Sequence, residues 1–272
     1  MTDYSDPLFR KLDKIPGAPN FVRYNFAELV KTLKAYVQFA KGMPTVSYAQ
    51  GITLVKDLVL GLIDSEQAKK AARKIKDSPS KSAIIGFVDA FCVYAEDRKY
   101  LATPTYSEFS ASFPIGRDLF IPVKPTLVAR EGGQLKPVFV FGWKSVPLTT
   151  YQRRLLMTIF EDAIFSLTDF ESSDAEIVFL PEVNGERKSE VWHRGDYDLL
   201  SHTEVRNQLE VFLSARESAY PIIADWLKTR KKGPQPAVVV DDTEQRDWIY
   251  SPHRLRNIKS LSHAGRQTSH RS

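Results

Sequence analysis

The side chains with chemistry to offer are mostly cations. Lys69, Lys70, Arg73, Lys74 and Lys76 crowd into eight positions. At helical spacing they make either a phosphate-contacting face or an ordinary solvated one. Lys124 and Lys144 stand at the ends of apolar runs, where a lysine contacts an anion or simply solvates a strand end. His193, Asp196, Asp198 and His202 fall within ten residues. Two imidazoles and two carboxylates can ligate a metal. Their spacing fits no metal motif, however, and Gly195-Asp196 reads as a turn, so the expectation is a polar turn. The lone cysteine, Cys92, lies in Phe91-Cys92-Val93 and reads as a small buried hydrophobe. A phosphate-cradling G-x-x-x-x-G-K-[ST] loop, a G-x-S-x-G elbow and an H-E-x-x-H pair are all absent from the sequence.

These residues must be positioned by an α/β scaffold. Residues 1–24 carry Pro7, Pro16 and Pro19 with little periodicity and read as an extended arm. Asn25 and Glu28 have capping-box spacing and predict a helix start, with Gly42 and Pro44 ending it. A second helix is expected over about Ile52–Ile63, and a third, basic one after Asp64. These make 25–79 an N-terminal helical part. A long amphipathic helix is predicted from Lys81 to about Tyr100, followed by a connection over 101–116. The pattern then shifts to strand at Leu119–Ile121, Val123–Ala129 and Pro137–Phe141, with a turn at Glu131-Gly132-Gly133. Pro137–Phe141 is continuously apolar, as in a sheet covered on both faces. Thr149 and Gln152 open another helix. A strand follows at Glu176–Leu180 and a further one near Ser189–Trp192. Ser201 and Glu204 cap one more helix, and a last helix spans about Tyr220–Lys228. The α/β core with its C-terminal helices is thus 80–233, and 234–272 reads as a mostly disordered basic tail, with a short strand conceivable at Ala237–Val240.

The order helix, strand, strand, strand, helix, strand over about Lys81–Leu180 resembles the core of the PD-(D/E)XK nuclease superfamily. In that family a proline-aspartate on the second strand and a glutamate-x-lysine on the third hold one or two Mg²⁺ ions, and the lysine supports the nucleophile or charge. Here the second strand reads Val123-Lys124-Pro125-Thr126-Leu127-Val128, so threonine occupies the aspartate position. The third reads Phe139-Val140-Phe141-Gly142-Trp143-Lys144, so glycine occupies the glutamate position. Both carboxylates are missing, and a hard cation needs charged oxygen ligands. The resemblance therefore implies a restriction-endonuclease-like fold without its metal site, with Lys144 as the remaining catalytic candidate. Asp118, Glu131, Glu161 and Asp162 are the carboxylates near enough in sequence to have migrated.

Composition bounds the rest. Of 272 residues, 43% are hydrophobic and 26% charged, ordinary for a globular protein with a sizeable core. One cysteine excludes a disulfide framework and favours a reducing, cytoplasmic compartment. The N-terminal stretch lacks the apolar segment of a signal peptide, and no run approaches the ~20 apolar residues of a membrane span. The net charge of +5 favours an anionic partner, DNA or RNA. The leading expectation is a nucleic-acid-associated protein that binds or scaffolds through Lys69, Lys70, Arg73, Lys74, Lys76, Lys124 and Lys144, without cofactor or turnover. One alternative is a protein-interaction module. The other is a nuclease using Mg²⁺ on migrated carboxylates.

Overall fold

A computed structural model describes residues 6–42, 47–76, 78–103, 106 and 109–229. All belong to one compact unit, Met1–Val238. The expected basic tail, 234–272, and its short strand lie outside the described residues.

The chain opens with two helices where the sequence suggests an extended arm: α1 (Pro7–Asp13) and α2 (Ala18–Arg23). Pro7 and Pro19 occupy first helical turns, where a missing N–H costs nothing. The Asp6 carboxylate caps α1 by accepting from Leu8 N at 2.9 Å. Phe9, Leu12, Phe21 and Val22 are buried, so these helices belong to the core.

Helix α3 (Leu29–Ala40) starts four residues after Asn25, and Glu28 at its N-cap makes no side-chain cap bond. Asn25 is buried instead. Its amide donates to Phe21 O at 2.7 Å, and its Oδ1 accepts from Gln208 Nε2 at 3.3 Å. A long-range partner has taken the residue that local spacing assigned to a cap.

Helices α4 (Ala49–Val59), α5 (Ser65–Arg73) and α6 (Lys81–Ala95) follow. Asp64 and Gln67 form the full capping box of α5. Helix α6 stops at Ala95, and the expected connection beyond it carries two strands. These are β1 (Leu101–Ala102) and β2 (Ala111–Gly116). Among the described residues, strand β2 pairs with β3 (Leu119–Val123) alone, as a separate two-stranded ribbon. Strands β4 (Leu127–Glu131) and β5 (Gln134–Phe141) form a hairpin over Gly132 and Gly133, both at positive φ.

Helix α7 (Thr150–Phe160), with its Thr149–Gln152 capping box, runs into a π-helical turn at Glu161–Phe165 and crosses to β6 (Glu176–Phe179). A small hairpin, β7 (Glu182–Val183) and β8 (Glu186–Arg187), turns at Asn184-Gly185. Strand β9 (Glu190–His193) and one long helix, α8 (His202–Thr229), complete the unit. The sequence suggests two helices in place of α8, the last over about Tyr220–Lys228, but Pro221 lies inside one continuous helix. The buried stripe Phe212, Ala215, Ala219 and Ile223 runs straight through that proline, and packing overrides the lost hydrogen bond.

The central sheet has the order β1-β4-β5-β6-β9. Only β5 and β6 are parallel, joined through α7. It is a mixed sheet with helices on both faces. Phe139, Ile177 and Phe179 face a core shared with α1, α2, α3, α7 and α8. Val138, Val140, Val178 and Leu180 face α4, α5 and α6. The expected helical part 25–79 is thereby split, with α3 on one face and α4 and α5 on the other. Phe139 stacks on Phe160 at 4.1 Å. A buried aromatic of this kind contributes ~1.5–3 kcal/mol by area alone. Among the described residues no helix is long and apolar enough to cross a membrane.

Candidate nucleic-acid interface

The sheet places Lys124 and Lys144 at one end. Strands β4 and β5 pair antiparallel with Leu127 opposite Val138, so the link before β4 lies beside the chain leaving β5. Thr126 Oγ1 accepts from Val140 N at 2.9 Å, which commits the hydroxyl to the backbone ladder. Gly142 is buried against Tyr48, the residue preceding α4. A Cβ built on Gly142 would stand 2.6 Å from the Tyr48 ring.

Arg187, on β8, closes the same end. Its Nη1 donates to Gly142 O at 3.0 Å and to Leu180 O, the carbonyls where the parallel strands finish. Its Nη2 donates to the Tyr48 hydroxyl at 2.8 Å. Lys144 is exposed, and its ammonium lies 3.6 Å from Glu182. A backbone bond from Glu182 N to Lys144 O at 3.0 Å extends the parallel ladder past β6.

Three of the four carboxylates proposed as migrants pair with basic side chains. Asp118 sits at the exposed tip of the β2–β3 ribbon, beside Arg117. Glu131 ends β4 beside the start of β5, roughly 25 Å away at ~3.3 Å per residue, paired with Lys136 at 2.6 Å. Glu161 is gripped by Arg194, with Nε at 2.9 Å. Asp162 lies on the π-helical turn, where burial pushes its carboxyl up. A ring, a guanidinium and a hydroxyl bonded to the ladder do not suit Mg²⁺, which takes charged oxygens.

The α5 cations stand on a helix packed against α6. Cys92 Sγ on α6 reaches Ser65 O at 3.9 Å, at the start of α5, and Arg73 at its end pairs with Asp89 at 3.6 Å. Helix α5 thus packs against the middle of α6, whose N-terminal half carries Gly86 beside Arg187 and Phe87 against Tyr48. Ala68 and Ala72 bury the inner side of α5, leaving Lys70, Arg73 and Lys74 exposed at i, i+3 and i+4, with Lys76 exposed just beyond. Lys69 is half-buried and held by Glu66 at 3.3 Å. Lys124 is half-buried in the β3–β4 link.

The histidine constellation does not assemble. His193 Nδ1 lies 3.4 Å from Asp174. Asp196 folds back to accept from His193 N at 2.7 Å around Gly195 at φ 94°, and His202 opens α8. Among the described residues no group of three or more His, Cys, Asp and Glu side chains is placed to hold a metal ion.

A second polar cluster escaped the sequence reading. Glu176, 1% exposed, begins β6. It accepts from Tyr94 and Tyr100 and faces Lys136 at 3.2 Å and Arg98 at 3.3 Å. Burial alone would push its carboxyl up. The two tyrosine hydroxyls and two cations outweigh burial and hold it below the usual carboxylate range. A base working near neutral pH needs the opposite shift, so the cluster fastens the α6–β1 link to the sheet. Its one local signal was a glutamate opening an apolar strand. Tyr48 and Arg187 carried none, because 139 positions separate them. Comparison with protein-family models and with curated proteins finds no match for the chain.

Proposed function

We propose that this is a nucleic-acid-associated protein with a PD-(D/E)XK-like core that grips phosphate backbones and does not cut them. The observation that carries this reading is at the C-terminal end of β5. Lys124 and Lys144 flank that end, while the positions the family gives to metal-binding carboxylates are Thr126 and a Gly142 overlaid by Tyr48; the exposed cations of α5 would extend the contact. The sheet order supports the likeness: α6, then β1, β4 and β5, then α7 and a β6 parallel to β5, with the β2–β3 ribbon outside the sheet. Lys144 acts as a contact in this reading, not as a catalyst. A reducing, cytoplasmic setting suits the single buried Cys92.

The test is binding of labelled DNA and RNA to the full chain across a salt series, with and without Mg²⁺. Affinity that falls linearly on a log–log salt plot, and falls further for Lys70→Glu/Lys74→Glu, is the expected result. Absence of binding at low salt rules the reading out. Mg²⁺-dependent strand cleavage overturns its non-cutting part.

A further inference from the structure

Glu182 and Lys144 are brought together by the backbone before their charges act. Glu182 N donates to Lys144 O at 3.0 Å, carrying the parallel β5–β6 ladder past its last paired residues. Residues joined across a ladder are close neighbours whatever their charge. Here the carboxylate lies 3.6 Å from the ammonium.

The hairpin that carries Glu182 is fixed as well. Lys188 N donates to Pro181 O at 3.1 Å. Arg187 stands directly opposite Glu182 across the β7–β8 hairpin, where an opposite-charge pair is the ordinary arrangement. Arg187 is committed instead to Gly142 O, Leu180 O and the Tyr48 hydroxyl. The Glu182 carboxylate therefore turns to Lys144. Among the described residues no other carboxylate lies within ion-pair distance of that lysine.

The core does not need this pair. The two side chains are 69% and 39% exposed, and exposed pairs of this kind contribute little to stability. What the pair changes is the field at the end of β5. A phosphate arriving at Lys144 finds the charge already balanced, beside a carboxylate whose backbone cannot move away. We propose that Glu182 is an electrostatic brake on Lys144, holding the cation in an internal pair until a nucleic-acid backbone displaces it. The inference rests on the reading proposed above and names the residue that limits affinity there. A like charge beside a contact turns away weak partners. A free phosphate is excluded on this account, and a chain of phosphates held at several points is admitted.

The test is a cycle of four full-length proteins bound to labelled DNA across a salt series: native, Glu182→Gln, Lys144→Ala and the double variant. Glu182→Gln is expected to bind about threefold to fivefold tighter at low salt, the worth of one exposed pair. The gain should shrink as salt screens the carboxylate, with the melting temperature unchanged. On the Lys144→Ala background the same substitution should gain much less, because no cation is left to release. Native affinity in Glu182→Gln, or an equal gain with and without Lys144, overturns the brake. If the native chain still binds DNA and Lys70→Glu/Lys74→Glu still weakens it, only the brake has failed. Absence of DNA binding by all four proteins removes the broader reading and the brake together. Glu182→Thr, neutral and suited to a strand, repeats the measurement if the glutamine variant misfolds.

Discussion

The ring of Tyr48 occupies the space that any side chain on Gly142 would need, with 2.6 Å between a built Cβ and the ring. Glycine at 142 is thus a packing requirement, and reinstating a carboxylate there is sterically blocked. Gly142→Ala is expected to destabilise by ~1–3 kcal/mol, the range for overpacking. Adding Tyr48→Ala should make the pair less costly than the sum of the singles. Denaturant midpoints of the four proteins measure this, and strict additivity would mean the two residues do not compete for space.

Lys144 is exposed and pairs only with Glu182 among the described residues. Lys144→Ala should change stability by less than ~1 kcal/mol, as exposed ion pairs do. If Lys144 meets a phosphate, the same variant weakens DNA binding and lowers the salt slope by about 1. An unchanged slope removes Lys144 from the interface.

Glu176 predicts an acid limb. Its carboxyl is held down in the folded protein, so the unfolded chain takes up protons first as pH falls. Its contribution is complete above the unfolded value, about 4.3, and is lost as pH drops through the lower folded value. Glu176→Gln leaves Lys136 and Arg98 without their buried counter-charge and should cost about 3 kcal/mol at neutral pH. The variant should also lose part of the acid dependence. Urea midpoints from neutral to acid pH report both effects. A variant with the native acid profile would show that other groups set it.

The tyrosines predict the opposite limb. Burial raises Tyr36, Tyr94 and Tyr100 above the usual phenol value. Burial, with a bond to Asp13, pushes Tyr220 up to about 12. A raised folded value means stability is intact below about pH 10 and declines above it. Phenolate absorbance should therefore rise in two steps, exposed tyrosines first and these four together with loss of near-ultraviolet ellipticity. A single smooth titration with the fold intact would contradict the burial.

What could be read from the sequence was local. The cap at Asp64, the capping boxes at Thr149–Gln152 and Ser201–Glu204, the Gly132-Gly133 turn and the two-sided apolar strand 137–141 all depend on neighbours within a few positions, and all are present. What failed depended on distant partners. Pro7 and Pro19 looked like breakers but begin helices, because the core waits for Phe9 and Phe21. Asn25 left its cap for Gln208. The Tyr48–Arg187 closure joins residues that no spacing rule relates.

The clasp between the chain's first helices and its last sets an order of events during synthesis. Arg216 on α8 donates to Leu12 O at 2.9 Å, and Gln208 reaches Asn25 and Phe26. Phe21 and Tyr36 both pack edge-on against Phe212. On the ribosome, the aromatic side chains of α1–α3 emerge roughly 200 residues before the surface that covers them. At ~5–20 residues per second they stay uncovered for tens of seconds. The α4–α6 side of the sheet can settle first, and the other side closes only when α8 is complete. A stall just before residue 202 therefore leaves the sheet with an apolar face that α8 has yet to cover, a nascent chain that calls on chaperones in proportion to how slowly its final stretch is translated.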